Sequence, residues 1–182
     1  KKGFFSIELS SVNYVKYLNP DKKTKPDYLC NAEKIPIKDN VFDTVIITEV
    51  LEYVESVSKT LKEIKRVTKK NGYIIVSIPF LVPVHGDFLL DKRRYTEEKL
   101  KKIFLQNSFK IKHLEYMGSV FSVIFDLICI TLGYSAVKKN SFLLKILNSI
   151  RFIFSFFDSF FSHNSKFITT GYFFILKNSK KE

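Results

Sequence analysis

The sequence has no tryptophan, one methionine and only two cysteines among its 182 residues. The two thiols, Cys30 and Cys129, each lie within an apolar segment, which argues against a disulfide framework and is typical of reduced cysteine in a cytosolic protein. The three histidines, His85, His113 and His163, are scattered, and no CxxC pair accompanies them. The sequence therefore predicts no metal site.

Glycine is scarce as well. The chain holds six glycines, and no two of them flank a single residue. A loop of the G-x-G type, which lets a backbone approach a cofactor closely, is therefore missing from the sequence.

Acidic residues are outnumbered by basic ones, 18 against 30, which gives a formal net charge of +12. Residues 136–182 hold eight Lys and Arg against two acidic residues, a net charge of +6. A basic region that is also rich in phenylalanine suggests an anionic lipid or an anionic substrate as its partner. No nucleic-acid recognition motif accompanies the charge, so a nucleic-acid partner is not favoured.

The length and the 46% hydrophobic content fit one domain with a buried core, and we predict a single domain over residues 1–182. Lys1 and Lys2 precede only a short apolar run without a small-residue cleavage site, so no secretory signal is predicted. We therefore expect a cytoplasmic protein. Because the chain does not begin with methionine, we also expect it to start inside a longer protein.

Apolar runs alternate with helical periodicities along the chain. Six segments have strand character: 3–9, 27–32, 42–48, 73–79, 109–117 and 171–177. Apolar residues spaced at three and four predict a helix over 57–68, ended by Gly72 in a left-handed cap. A second helix is predicted over 96–107, capped by Thr96 with Glu97 and Glu98 in its first turn. This alternation predicts an α/β sheet with right-handed crossovers.

The segment 119–164 interrupts this pattern. Residues 120–134 are nearly all apolar but fall short of the roughly 20 residues that a membrane span needs. Residues 142–162 combine a polar stripe with a wide, phenylalanine-rich arc, which is compatible with a helix lying in a membrane interface. A helical lid packed on the sheet, or a dimer contact, would have the same pattern.

Polar residues follow several predicted strands, at the edge where open α/β sheets bind their ligands. Glu8 ends the first strand, and a carboxylate there can accept both hydroxyl hydrogens of a ribose. The turn at 31–33 ends the second strand and could read the edge of an adenine, while Thr48 and Glu49 end the third.

Each of these residues also has a structural interpretation. Glu8 could be a solvated strand end, and Asn31 a turn residue that bonds its own backbone. Glu49 and Glu52 could be acids of the first turn of a helix, which is the interpretation we favour for Glu52.

The loop after the fourth strand holds candidates for acid–base chemistry and for substrate binding. His85 titrates near neutrality and is the best candidate for a general base, with Asp87 placed to orient it. Arg93, Arg94 and Tyr95 could hold an anionic acceptor, since arginine binds carboxylate or phosphate bidentately. The alternatives are a loop histidine satisfied by backbone and a solvated charge run before a helix.

Two stretches, "NAEKIPIKDNVFDTVIITEVLEYV" and "LKEIKRVTKKNGYIIVSIPF", carry a family resemblance. They are similar to class I S-adenosylmethionine-dependent methyltransferases with the pattern D-A-E-x-L-P-F-x-D-x-x-F-D, V-L-E-H-V and L-x-E-x-x-R-V-L-K-P-G-G. The match is continuous over 27–80 and looser through "HGDFLLDKRRYTEEKLKKIF". It implies a Rossmann-like, mostly parallel α/β sheet with an antiparallel last strand. The phenylalanine-rich helical segment over 119–164 would be an insertion before that strand.

The resemblance also implies S-adenosylmethionine as cofactor, and it assigns roles to six residues. Glu8 would hold the ribose, Asn31 and Ala32 would contact the adenine, Thr48 and Glu49 would border the methionine end and the methyl group, and Leu51 would pack near the cofactor. Asn31 replaces the family's commoner Asp, and Tyr53 replaces a common His.

The family's first strand and glycine-rich loop should precede Glu8, where this chain has only seven residues. We therefore expect an N-terminally truncated methyltransferase domain. The leading hypothesis is methyl transfer to a small-molecule acceptor or to a sugar- or lipid-linked acceptor of the cell envelope, at the inner face of the membrane. The alternative is a non-catalytic module that binds a protein partner or, through 142–161, an anionic membrane surface.

Overall fold

The computed structural model describes residues 7–9, 28–83, 91, 93–132, 141–161, 166 and 168–179. Its strands are β1 (Ile7–Leu9), β2 (Tyr28–Cys30), β3 (Phe42–Thr48), β4 (Thr68–Pro79), β5 (Phe109–Met117) and β6 (Gly171–Asn178). Its helices are α1 (Val57–Val67), α2 (Glu97–Gln106), α3 (Val120–Thr131) and α4 (Ser141–Phe161). These elements confirm the predicted α/β class.

The strands form a parallel pair, β1 with β2, and a four-stranded sheet in the order β3-β4-β6-β5. In the larger sheet β3 pairs with β4 in parallel, and β6 pairs antiparallel with both β4 and β5. Strands β3, β4 and β5 therefore run in one direction and the last strand runs against them. The predicted mixed sheet with an antiparallel last strand is confirmed.

The main core lies between this sheet and the helices α1 and α2. The apolar side chains of β4 and β6 that alternate onto one face, Ile74, Val76, Ile78, Tyr172, Phe174 and Leu176, are all buried. Helix α1 adds Leu61 and Ile64, and α2 adds Leu100 and Phe104. The rings of Phe104 and Phe174 meet edge to face with their centroids 5.1 Å apart, which is a favourable aromatic geometry.

Both predicted helices begin at identifiable caps. The hydroxyl of Ser56 accepts a hydrogen bond from the Lys59 N–H at the start of α1. The hydroxyl of Thr96 accepts from the Lys99 N–H at the start of α2, and Glu97 and Glu98 occupy its first turn as predicted. Such caps satisfy N–H groups that have no partner within the helix.

The end of α1 differs from the prediction. The helix stops at Val67, and Thr68 already pairs with Phe42 as the first residue of β4. The left-handed conformation falls on Asn71, with φ 64°, and not on Gly72. A Cβ at Gly72 would lie 2.8 Å from the carbonyl oxygen of Asp43, so glycine is required there by the close approach of β3 and not by a helix cap.

The predicted helical insertion consists of α3 and α4, which pack against each other. Cys129 and Leu147 are buried between them, and the rings of Phe121 and Phe157 stack 5.3 Å apart. The Asp158 carboxylate of α4 accepts hydrogen bonds from hydroxyls at the start of α3. In the part of the chain that the structure describes, no helix has both the length and the apolar character that crossing a membrane requires.

The crowding at Gly72 leads to a stability prediction. We expect Gly72→Ala to lower the free energy of unfolding by about 1–3 kcal/mol, because the added methyl group is forced against the backbone of β3 and the Thr68 side chain. Chemical denaturation of the full chain measures the change. Asn71→Gly is the matched control and should change stability by less than about 1 kcal/mol, because glycine adopts positive φ without strain. Equal losses in the two variants would contradict this account of Gly72.

Candidate functional site

The predicted cofactor residues lie at the carboxyl ends of β2 and β3. In the small sheet, Glu8 pairs with Leu29 and Leu9 with Cys30, so β1 and β2 end side by side just before Asn31. In the large sheet β3 ends at Thr48, which pairs with Ser77 of β4. The structure describes the backbone of Glu8 but not its side chain, and the role of Glu8 toward a ribose stays a prediction.

Asn31 is exposed and forms the turn that follows β2. Its side-chain oxygen accepts a hydrogen bond from the Glu33 N–H at 2.8 Å, and its carbonyl accepts from the Lys34 N–H at 2.9 Å. The turn interpretation of Asn31 is therefore confirmed, while its contact with an adenine stays a prediction. Ala32 is buried in the main core, in the same cluster as Leu51. The two turns after β2 and β3 thus share one apolar support.

Glu33 ties the turn after β2 to the start of α1. Its carboxylate accepts a hydrogen bond from the Ser56 N–H at 2.6 Å and lies 3.7 Å from the ammonium of Lys59. Ser56 is also the residue that caps α1. One acidic side chain therefore fixes the distance between the turn after β2 and the end of the loop after β3.

Arg66 of α1 holds the rest of the loop that connects β2 to β3. Its guanidinium donates to the carbonyls of Ile35 and Ile37 at 2.9 and 2.7 Å. It also donates to both carboxylate oxygens of Glu63 and to Asp39. An arginine in this geometry uses its planar fork on several acceptors at once, which a lysine cannot do.

Glu63 completes this arrangement, which we call the Arg66 clamp (Arg66, Glu63, Asp39 and the carbonyls of Ile35 and Ile37). The Glu63 carboxylate also accepts a hydrogen bond from the Ile35 N–H at 2.9 Å. The hydrogen bond from Arg66 is the main cause that lowers the pKa of Glu63, and the bond from Ile35 acts in the same direction. The carboxylate therefore stays ionised and paired at neutral pH.

The chain turns sharply where β3 ends. Glu49 has φ 52°, in the left-handed region that side chains rarely adopt, and its N–H donates to the carbonyl of Ser77 at 3.0 Å. Holding a non-glycine residue there costs on the order of 1–3 kcal/mol, and such strain concentrates at functional sites. Thr48 and Glu49 are both exposed, so the turn offers two polar side chains to the solvent at the edge of the sheet.

Glu49 and Glu52 do not belong to a helix, so the interpretation of Glu52 as an acid of a first helical turn is wrong. Helix α1 begins at Val57, and its first turn contains no acid. The intervening residues form a turn, closed by a hydrogen bond from the Tyr53 N–H to the Val50 carbonyl. This turn buries Glu52 completely and brings its charge near Arg94 and Tyr95.

The two arginines among the predicted substrate-binding residues have protein partners in the structure. Arg93 donates to the carbonyls of Val54 and Glu55. Arg94 forms a bidentate pair with Asp91, whose side chain is fully buried, and this hydrogen bond is the main cause that raises the pKa of Arg94. Both arginines therefore position loops beside the site, and their binding of an anionic acceptor stays a prediction.

Tyr95 is buried in the main core, where desolvation raises the pKa of its hydroxyl. It therefore stays protonated at neutral pH. The predicted general base His85 and its orienting partner Asp87 lie outside the described residues, so their roles also stay predictions.

Glu33 enters the prediction only as part of the turn at 31–33. Three further residues that organise the site were not predicted from the sequence: Asp91, and the pair Glu63 and Arg66 of α1. The available signal was their spacing of three within "LKEIKRV", which matches the L-x-E-x-x-R portion of the family pattern. When a charged residue on the surface of a helix matches the family pattern, the match indicates that its side chain has a partner outside the helix.

The chemistry of the exposed groups fits S-adenosylmethionine. That molecule presents hydrogen-bond donors along its length: an adenine amino group, a ribose diol and an ammonium. The side chains open to solvent at the two strand ends, Asn31, Thr48 and Glu49, all carry acceptor oxygens. Glu49 adds a negative charge beside which a sulfonium and an ammonium would be favoured.

Comparisons with known proteins agree with this fit. Residues 5–76 match a family model described as a methyltransferase domain. An uncharacterized protein of Methanocaldococcus jannaschii, MJ0638, is 32% identical over 133 residues, which cover 67% of this chain and 55% of the relative. The ubiquinone/menaquinone biosynthesis C-methyltransferase UbiE of Burkholderia cenocepacia is 43% identical over 51 residues, 28% of this chain and 21% of its own.

A solved structure supports the fold. The S-adenosylmethionine dependent methyltransferase from Mesorhizobium loti matches 95% of this chain and 80% of its own, with a TM-score of 0.53 and 13% identity. The chain spans about half the length, or less, of the curated relatives it matches.

The Arg66 clamp can be tested by removing it. We expect Arg66→Ala to lower the free energy of unfolding by about 3 kcal/mol, because the Glu63 carboxylate loses a charge-assisted partner and two loop carbonyls lose theirs. Arg66→Lys should recover less than half of the loss, because an ammonium cannot reproduce the fork.

Chemical denaturation gives the values, and Lys62→Ala, an exposed change on the same helix, serves as control with an expected effect below about 0.5 kcal/mol. Full recovery by Arg66→Lys would show that the positive charge alone, and not the multiple hydrogen bonding, holds the loop.

Proposed function

We propose that this chain, which belongs to the class I S-adenosylmethionine-dependent methyltransferases, binds S-adenosylmethionine at the turns that follow β2 and β3 and transfers its methyl group to a small-molecule or cell-envelope acceptor. The family is supported by the domain match over residues 5–76 and by the methyltransferase relatives. The transfer and its acceptor are our proposal.

The observation that carries the proposal is the strained turn at Glu49. A left-handed backbone at a non-glycine residue persists only where the surroundings enforce it, here through the hydrogen bond to Ser77. The turn places Thr48 and Glu49 in solvent and returns Leu51 to the core cluster that also contains Ala32 from the turn after β2. This arrangement places exposed polar side chains close to buried apolar ones, which is a common composition of ligand sites.

Each of the predicted residues would bind a different part of the cofactor. Asn31 and Ala32 would contact the adenine, Glu8 the ribose, and Thr48 and Glu49 the methionine end. Leu51 would supply the apolar floor. When bound, the cofactor supplies an electrophilic methyl group on a sulfonium, and the protein supplies orientation and electrostatics.

The loop that follows β4 would serve the acceptor. His85 would remove a proton from a hydroxyl acceptor, and Asp87 would orient the imidazole. Arg93, Arg94 and Tyr95 would hold an anionic portion of the acceptor. Of these, Arg94 is held by its bidentate pair with the buried Asp91, which would fix the position of its guanidinium beside the site.

Two observations support the class of acceptor. The relative from Burkholderia cenocepacia is named for ubiquinone/menaquinone biosynthesis, which favours a small-molecule acceptor. The insertion of α3 and α4 adds an apolar, phenylalanine-rich surface to the fold, which favours an acceptor linked to a lipid or to the cell envelope. Both are consistent with one class of acceptor, a small molecule with an apolar portion.

One observation favours a second function, a methyltransferase-like module that binds a partner without transferring methyl groups. The glycines that the structure describes, Gly72, Gly118 and Gly171, each lie where a Cβ would meet the protein's own atoms. None of these three lies at the end of β2 or β3. The described residues therefore contain no glycine cradle for a cofactor at this edge.

Calorimetric titration of S-adenosylmethionine into the full chain tests the proposal. We expect measurable binding, and we expect Glu49→Gln to weaken it by about tenfold because the charged acceptor is lost. Glu49→Gly removes the same carboxylate but relieves the backbone strain, so it should lose affinity while retaining stability. Glu98→Gln, an exposed change on α2, is the control and should bind normally.

Transfer of a labelled methyl group to cell extract fractions, followed by mass spectrometry, then tests the activity. Binding without transfer to any fraction would favour the non-catalytic module. Affinity unchanged in both Glu49 variants would contradict the placement of the methionine end at this turn.

A further inference from the structure

The insertion exposes an apolar surface that no other part of the described chain covers. We call it the hairpin face, and its side chains are Ile124, Leu127 and Ile130 of α3 and Phe142, Ile146, Phe152, Ile153 and Phe156 of α4. All eight are exposed, from 40% for Ile124, Ile130 and Ile146 to 77% for Phe152. Contiguous apolar patches of this kind are rare on soluble monomers and mark interaction sites.

The hairpin face follows from the periodicity of the two helices. At 3.6 residues per turn, its residues on α4 fall within an arc of about 120°, which places them on one side of the helix. The opposite side carries Leu147, Ile150 and Phe154, which pack against α3. Helix α4 is therefore apolar on the side it buries and apolar again on the side it exposes.

Two hydroxyls at the hairpin face are already satisfied within the helices. The Ser149 hydroxyl donates to the Lys145 carbonyl at 3.1 Å, and the Thr131 hydroxyl donates to the Leu127 carbonyl at 2.8 Å. A hydroxyl paired in this way can leave water at little cost. The face can therefore enter an apolar environment without stranding these groups.

The exposed charged side chains of the hairpin face and its surroundings on α4 are basic. Lys145 is exposed within the face. The two acids of α3 and α4 are used between the helices: Asp158 accepts from the hydroxyls of Ser119 and Ser122, and Asp126 interacts with Arg151. Arg151 of α4 is exposed as well. The outward charge is thus basic and suits an anionic surface.

From these observations we infer that the hairpin face docks on the surface of an anionic lipid bilayer. Phenylalanine and isoleucine side chains enter the boundary between headgroups and acyl chains, and lysines contact the anionic headgroups. A second copy of the chain suits the face less well, because a two-fold contact would bring the same basic residues together. The inference is independent of methyl transfer, since none of its residues lies at the proposed cofactor site.

Because the sequence contains no tryptophan, the fluorescence of a single introduced tryptophan reports on its own position alone. We expect the fluorescence of Phe152→Trp to shift to the blue on addition of vesicles of phosphatidylglycerol and phosphatidylcholine, and to be quenched by brominated acyl chains. Leu105→Trp is the matched control, because Leu105 is an apolar residue of α2 with 61% exposure, outside the insertion. Its fluorescence should not change.

Vesicle flotation measures the affinity. The double variant Phe152→Asp with Phe156→Asp should bind at least about tenfold more weakly than the unmodified chain, and Lys145→Glu about fivefold more weakly. Leu105→Asp should bind as the unmodified chain does. Thermal unfolding of each variant, compared with that of Leu105→Asp, separates a loss of binding from a loss of folding.

Three results would overturn the inference. One is failure of the unmodified chain to float with anionic vesicles. Another is equal binding to vesicles of phosphatidylcholine alone, which would remove the anionic requirement. The last is a dimer in light scattering that the double variant dissociates, without vesicle binding, which would make the hairpin face a contact between subunits.

Discussion

The guanidinium of Arg66 is the group on which the geometry of the candidate site depends. The chain between β2 and β3 has no strand or helix of its own, and its backbone would otherwise have few fixed partners. Arg66 supplies them by binding the carbonyls of Ile35 and Ile37, while Glu63 accepts the Ile35 N–H. Arg66 and Glu63 are both residues of α1, which also packs against the sheet. Their hydrogen bonds therefore fix the position of the loop relative to the helix and the sheet. The turn at Asn31 is thereby held at a defined place relative to the turn at Glu49.

Other contacts fix the loop after β3 in the same way. Its N-terminal end is fixed by the hydrogen bond of Glu49 to Ser77, and its C-terminal end by Glu33 at Ser56. Arg93 holds the carbonyls between them. Each anchor comes from a different element, so the strain at Glu49 is distributed over the surrounding structure. Turns fixed in this way would be preorganised for the proposed cofactor, which would lower the entropy lost on binding.

The sequence predicted what depends on local periodicity and on strand order. The bounds of β3 and β5 and the Thr96 cap follow from patterns of residues close in sequence, whereas the antiparallel last strand came from the family resemblance. It did not predict contacts that join distant residues: the clamp at Arg66 and the burial of Glu52. It also misplaced the end of α1, because the need for glycine at position 72 comes from β3, about thirty residues earlier in the chain. A close approach between strands leaves no local signal that distinguishes it from a helix cap.

The central claim is that the turns after β2 and β3 form one cofactor site. Hydrogen–deuterium exchange of the full chain, with and without S-adenosylmethionine, tests it most directly. The account predicts that amides of residues 31–35 and 48–52 become protected together when the cofactor is added, while those of α3 and α4 do not change. Protection of only one of the two segments, or protection confined to the insertion, would contradict the claim.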